Sequence, residues 1–380
     1  MENSALNHLS DQLNTRESEG LLRSLQNLAG MIDFCSNDYL GLSKNSDLAQ
    51  SIQQEVLLRA KKGQTLAHGA TGSRLISGHS PIFDEFEQAC AEMHRAEAAL
   101  LFASGYDANV GLIAALAQEG QVVFCDQLLH ASLIDGLRLC KAEKRIFKHN
   151  DLEDLVKLVE QYPRETPKWI VVESIYSMDG DMAPLAELMH IKNTYNAEII
   201  VDEAHSGGLY GPGGSGLSVE LGLENEIFAR VITFGKAWGN AGAVVLGSKI
   251  LKDFLINFAR PFIYSTAPST WHVSSLLATL GFIKNQDTLR QKLQANIQFF
   301  QNHCQGDAWG KSHTAIQTYF VAGNQALRSA AKKAQEAGFA VKPIVYPTVP
   351  KGQERIRITL HATSQERDML TLIQTLNEHA

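Results

Sequence analysis

Between about residue 46 and residue 260 the chain alternates short apolar runs with stretches of helical spacing. Ala98-Ala99-Leu100-Leu101-Phe102, Val122-Val123-Phe124, Trp169-Ile170-Val171-Val172, Glu198-Ile199-Ile200-Val201, Val231-Ile232-Thr233-Phe234 and Ala243-Val244-Val245-Leu246 are continuous apolar runs. Strands buried on both faces read this way, because neither side of the pleat meets water. Helical patterns such as 80–94 and 107–117 fall between them. The alternation predicts an α/β fold: a mostly parallel sheet covered by helices. Before it, residues 1 to about 30 form an amphipathic arm with Leu6, Leu9 and Leu13 at helical spacing, then an extended Ile32-Asp33-Phe34 and a turn at Ser36-Asn37-Asp38-Tyr39-Leu40-Gly41. Near 261–270 the rhythm changes. One long helical stretch is expected over about 271–303, then strands at 317–321 and 355–360 and helices near 325–338 and 364–378. The expected organisation is an arm over 1–45, a large domain over 46–265 and a smaller α+β domain over 266–380.

Composition narrows the classes. The 380 residues carry a formal net charge of -7, with Lys and Arg scattered, so the basic stripe of a nucleic-acid binder is missing. No run approaches the roughly 18 apolar residues of a membrane helix, and the polar start has no apolar core of a secretion signal. The five cysteines (Cys35, Cys90, Cys125, Cys140, Cys304) are odd in number and form no CxxC pair. A disulfide framework or a metal site is therefore not expected, and a reducing, cytoplasmic location is.

In an open α/β sheet ligands bind beyond the carboxyl ends of the strands. The residues there converge on one chemistry. Asp202 follows one apolar run and Lys236 another. A desolvated lysine is a nucleophile towards carbonyls, and a Schiff-base lysine with an Asp on a pyridinium nitrogen is how pyridoxal phosphate is held. A simple Asp–Lys ion pair would look the same. Ser104-Gly105-Tyr106 is a glycine turn at a helix start, suited to a phosphate or merely a turn. His130 can stack on a ring, and His205, three residues after Asp202, can meet a phenolic oxygen or a carboxylate; either can equally be structural. Arg355 and Arg357 share one face of a strand opposite Ile356 and Ile358. A guanidinium there suits a carboxylate, although the alternation alone reads as a solvent-facing edge strand.

Seven segments together resemble the α-oxoamine synthases, acyl-CoA-dependent enzymes of the fold-type I pyridoxal-phosphate class. They are Ser36-Asn37-Asp38-Tyr39-Leu40-Gly41-Leu42, Gly69-Ala70-Thr71-Gly72-Ser73-Arg74-Leu75-Ile76-Ser77-Gly78, Ser104-Gly105-Tyr106, Asp126 to Ser132, Ser177-Met178-Asp179-Gly180-Asp181, Val201-Asp202-Glu203-Ala204-His205 and Thr233-Phe234-Gly235-Lys236. The resemblance implies a seven-stranded sheet, bound pyridoxal phosphate and a homodimer. It assigns Lys236, His130 and Asp202 to catalysis. It assigns Ser104, Gly105, Tyr106, Ser177, His205 and Thr233 to the cofactor, with Thr266 reaching the phosphate of the neighbouring subunit. It gives Arg23, Asn37 and Arg357 to the substrates. Thr233-Phe234-Gly235-Lys236 and Tyr264-Ser265-Thr266 look like the branch that condenses L-alanine with a pimeloyl thioester, on CoA or acyl carrier protein. Sister reactions of glycine or serine stay open, as do an ordinary aminotransferase and a non-catalytic partner subunit. His68, Ala70 and Trp238 depart from the family pattern and are expected to reshape the acyl pocket.

Overall fold

The computed structural model describes residues 4–346 and 348–378, and the chain divides into two compact units. The larger comprises residues 37–177 and 181–291; the other comprises 1–36, 178–180 and 292–380.

The larger unit is built on seven strands: β1 Ala98–Phe102, β2 Val122–Asp126, β3 Glu143–Phe147, β4 Lys168–Glu173, β5 Ala197–Asp202, β6 Ala229–Thr233 and β7 Ala243–Gly247. Their order is β1-β7-β6-β5-β4-β2-β3, and only β7 runs against its neighbours. The carboxyl ends of six strands therefore share one edge of the sheet with the start of β7. Every residue of β2, β4 and β6 is buried, and all of β5 except Glu198, which explains their apolar runs. β3, Glu143-Lys144-Arg145-Ile146-Phe147, has no such run: it lies at the edge of the sheet and only Phe147 is buried.

Local signals set the element ends. Ser104 caps the helix Gly105–Leu116 by accepting from the Asp107 N–H at 3.0 Å, and Asp151 caps Leu152–Val159 by accepting from Asp154 at 2.9 Å. Asn196, at φ 53°, ends Leu185–Tyr195 in the left-handed conformation that asparagine tolerates, one residue before β5. The single helix expected over 271–303 is two, Thr270–Ile283 and Asp287–His303. The break is stabilised by side chains that take over carbonyls at the first helix's end: Asn285 Nδ2 bonds Gly281 O at 3.1 Å and Arg290 bonds Ile283 O at 3.0 Å.

The other unit holds an antiparallel sheet of β8 Ile316–Phe320, β9 Lys342–Ile344 and β10 Arg355–Thr359, in the order β9-β10-β8. β10 is thus the middle strand, with all five residues buried, and the edge-strand reading of the Arg355 and Arg357 alternation is corrected. Arg355 pairs with Asp179 and lies over the Phe320 ring, and Arg357 Nη1 donates to Thr359 Oγ1 at 2.9 Å. The Asp179 carboxylate compensates the Arg355 charge and the Thr359 hydroxyl accepts from Arg357, so burial is tolerated. The arm is the helix Ser4–Ser18, with Leu6, Leu9 and Leu13 exposed. No helix among the described residues is long and apolar enough to cross a membrane.

Candidate active site

A cavity of about 370 Å³ opens at the carboxyl edge of the large sheet. Asn37, Ser104, Gly105, Tyr106, His130, Asp202, Thr233 and Lys236 all line it. The parallel strands explain the convergence: β1, β2, β5 and β6 each deliver the residue that follows or ends them to one edge.

Asp202, 4% exposed, ends β5. Its Oδ1 accepts the Ala204 N–H at 2.8 Å and its Oδ2 accepts Asn109 Nδ2 at 2.7 Å. Asn109 also donates to Ser132 Oγ at 2.9 Å, and Ser132 Oγ lies 2.7 Å from His130 Nδ1. One hydrogen-bonded chain therefore runs His130–Ser132–Asn109–Asp202. It fixes the carboxylate and the imidazole relative to each other. Burial lowers the His130 pKa, the charge of Lys236 adds to that, and Asp202 opposes it, so the ring is neutral at pH 7. Glu173, which ends β4 fully buried, accepts the His130 N–H. Burial and then the charge of Asp202 raise its carboxyl well above the usual carboxylate range, against the pull of Lys236.

Lys236 is half-buried in the turn after β6 and exerts its charge on both His130 and Glu173. Thr233 ends β6 at 8% exposure, and its Oγ1 is buried with no hydrogen-bond partner among the described residues. A Cβ on Gly105 would come within 2.5 Å of Thr233 Cγ2, so the backbone there can be only glycine without displacing the threonine. Gly105 and Tyr106 open the helix, where the N–H groups have no intrahelical acceptor. An orphaned hydroxyl beside free backbone donors at a helix N-terminus is a phosphate cradle. A carboxylate, a lysine and a neutral imidazole stand around the same cavity. The set fits pyridoxal phosphate.

The remaining predicted residues lie elsewhere. His205 is buried in the larger unit, its Nδ1 2.6 Å from the Tyr39 hydroxyl. Ser177 is buried after β4, and Thr266 is exposed in the turn before Thr270–Ile283. Arg23, exposed beyond the arm helix, and Arg357 belong to the other unit. Trp238 does not line the cavity. It is fully buried, its ring 4.5 Å from Phe234 and 6.2 Å from His94 between centroids, so it supports the Lys236 turn from beneath. His68 is exposed and Ala70 half-buried, and neither lines the cavity. Asn109 and Ser132 were missed as site residues. The signal was present: Asn109 lies four residues after Gly105 on one helix face, and Ser132 two after His130 at a helix start.

The family model for class I and II aminotransferases matches residues 29–376. The 8-amino-7-oxononanoate synthase of Emericella nidulans is 37% identical over 390 residues, covering 97% of this chain and 94% of its own. Among solved structures, the 8-amino-7-oxononanoate synthase of Francisella tularensis superposes with a TM-score of 0.77 at 28% identity, over 92% of this chain and 97% of that one. A serine palmitoyltransferase of S. paucimobilis, solved with a PLP–myriocin adduct, superposes with a TM-score of 0.87 at 25% identity, over 100% and 98%. With a family match across nearly the whole chain and a cavity built for the family's cofactor, this protein belongs to the class I and II aminotransferases and is a pyridoxal-phosphate-dependent enzyme.

Proposed function

We propose that this enzyme condenses L-alanine with a pimeloyl thioester, carried by CoA or acyl carrier protein, and releases 8-amino-7-oxononanoate, CO2 and the free thiol. The observation that carries the reading is the 37% identity to a synthase of that name over 97% of this chain. The cavity chemistry supports it. When bound, pyridoxal phosphate supplies a carbonyl for amines and a ring that accepts the electron pair left at the amino acid's α-carbon.

In this reading Lys236 Nζ anchors the cofactor. Once the alanine amine has displaced it, the freed amine takes the α-proton and later returns a proton to the product. Asp202, oriented by Asn109 and the Ala204 N–H, holds a proton on the ring nitrogen. His130, neutral and tied to Ser132, bears on the ring without adding a positive charge beside that nitrogen. The Gly105 and Tyr106 N–H groups, the Thr233 hydroxyl and Ser104 bind the phosphate. The resemblance extends the proposal to Ser177 and His205 at the phenolic oxygen, Asn37, Arg23 and Arg357 at the substrates, and a cytoplasmic homodimer with Thr266 contributed across subunits.

A sister condensation that uses serine and a long acyl chain has one observation in its favour, the serine palmitoyltransferase overlay at TM-score 0.87. The test is product analysis by mass spectrometry with L-alanine, glycine or L-serine against pimeloyl-CoA. 8-Amino-7-oxononanoate from alanine alone is expected. Product only with serine or glycine would move the enzyme to a sister reaction. Keto acid formed without thioester consumption would make it an ordinary aminotransferase. Lys236→Ala is expected to remove turnover.

A further inference from the structure

His149 follows β3, outside the cavity lining, and is held by two carboxylates. Its Nδ1 lies 2.8 Å from Asp126 Oδ1 and its Nε2 2.6 Å from Asp181 Oδ2. An imidazole can donate from both nitrogens only as the imidazolium, so these bonds define a cation between two anions. Next to it Asn150, at φ 53°, repeats the bridge: its N–H donates to Asp126 Oδ2 at 2.9 Å, and its Nδ2 to Asp181 Oδ2 at 2.8 Å and Met182 O at 3.1 Å.

The two carboxylates belong to the turns that carry His130 and Ser177. Asp126 ends β2 with its side chain wholly buried, and its Oδ1 also accepts the Leu128 N–H at 2.8 Å, two residues before His130. Asp181 closes a turn on itself: the Tyr176 N–H bonds Asp181 O at 2.9 Å and Ile175 bridges Met182. Ser177 follows Tyr176, whose buried ring meets the His149 ring edge-on at 4.4 Å and 87°. The groups facing His149 are thus Asp126 from β2, and Asp181 and Tyr176 from this turn. Glu173, from β4, feels the charge of Asp126 and acts in turn on Tyr176.

We propose that His149 is a positioning residue: the imidazolium clasps the turn bearing Ser177 to the strand end whose following turn bears His130, and so sets His130, which lines the cavity, and Ser177, which the proposed function puts at the cofactor. The clasp lies at the rim of the sheet, with the His149 side chain 19% exposed and the Tyr176 ring it meets part of the buried core. Its action on the reaction runs entirely through His130 and Ser177. The proposal rests on reading the Lys236 cavity as the pyridoxal-phosphate site.

The test uses the full chain reconstituted with pyridoxal phosphate. His149→Gln removes the charge and leaves a single donor nitrogen in place of two on opposite sides of a ring, whereas His149→Arg keeps the charge and several donors. Three readouts are compared: the melting temperature, the cofactor Kd from absorbance, and the visible circular dichroism of the bound cofactor, which reports its orientation. His149→Gln is expected to raise the Kd about tenfold and at least halve the visible dichroism, and His149→Arg to restore part of both. Asp181→Asn, which weakens the clasp from its 37% exposed end, is the second variant should His149→Gln not fold, and is expected to change the dichroism in the same direction. A His149→Gln protein that melts lower but keeps its Kd and dichroism would overturn the proposal and leave His149 structural. Wild-type protein that takes up no cofactor would overturn both the proposal and the functional reading beneath it.

Discussion

Asn109 offers the sharpest test of how the site works. It is 2% exposed and its amide nitrogen serves two acceptors, Asp202 Oδ2 at 2.7 Å and Ser132 Oγ at 2.9 Å. A hydrogen bond to a charged acceptor contributes about 1.5–3 kcal/mol and one to a neutral acceptor about 1 kcal/mol. Asn109→Ala removes both, leaves Asp202 with the Ala204 N–H, and cuts the chain that ties the carboxylate to His130. The charged bond alone corresponds to a factor of roughly 10–150, at 1.4 kcal/mol per tenfold. The expected result is a folded protein whose cofactor Kd rises, or whose kcat/KM falls, by about that factor. The assay is a cofactor titration by absorbance, paired with steady-state kinetics on alanine and the thioester. The same change made on Asp202→Asn removes a bond to a neutral acceptor and is expected to cost about fivefold, so the pair forms a double-mutant cycle with a coupling of on the order of 1 kcal/mol or more. If Asn109→Ala stays within twofold of wild type on both measures, or costs as much on the Asp202→Asn background, Asn109 does not act through Asp202 and the argument fails.

Two further outcomes follow from other parts of the structure. Gly105→Ala places a methyl 2.5 Å from Thr233 Cγ2; overpacking of this kind costs about 1–3 kcal/mol, so a lower Tm and at least tenfold weaker cofactor binding are expected. Gly281→Ala, where nothing lies within 4 Å, is the control, and an equal loss from both would refute the cradle. Burial opposes charge on His149, but the bonds to Asp126 and Asp181 outweigh it and push its pKa up to about 10. The folded pKa is raised, so the stability is fully present below the unfolded value of about 6.5 and is lost as pH rises through about 10, with a slope of up to about 1.4 kcal/mol per pH unit. Urea denaturation between pH 6 and 10.5 is expected to show the wild type losing its advantage over His149→Gln across that window. A constant difference would refute the imidazolium.

Particular residues show how much was legible in the sequence. The continuous runs at 122–124, 169–172, 198–201 and 231–234 announced buried parallel strands, because a strand covered on both faces has no polar face to display. The rule that parallel strands present their carboxyl ends together then brought Asp202, Lys236, His130 and Gly105 into one list, and all four line one cavity. β3 was not legible: an edge strand with four of its five residues unburied carries no hydrophobic period, and its place depends on the pairing with β2. Arg355 and Arg357 misled for the converse reason. Alternation with isoleucines looks the same whether the polar face meets water or meets Asp179, Phe320 and Thr359.

What the chain determined by itself was local: which buried segments are strands, where most helices lie, and which chemically competent residues follow the strands. Short-range sterics, capping and burial periodicity decide these within a few residues. What only the tertiary structure decided was partnership. Asn109 meets Asp202 across 93 positions, and His149 joins Asp126 and Asp181 across 23 and 32. Such pairs depend on strand order and on which side chains share a low-dielectric interior. Buried polar groups must find partners wherever the fold puts them, and no local pattern records where that is.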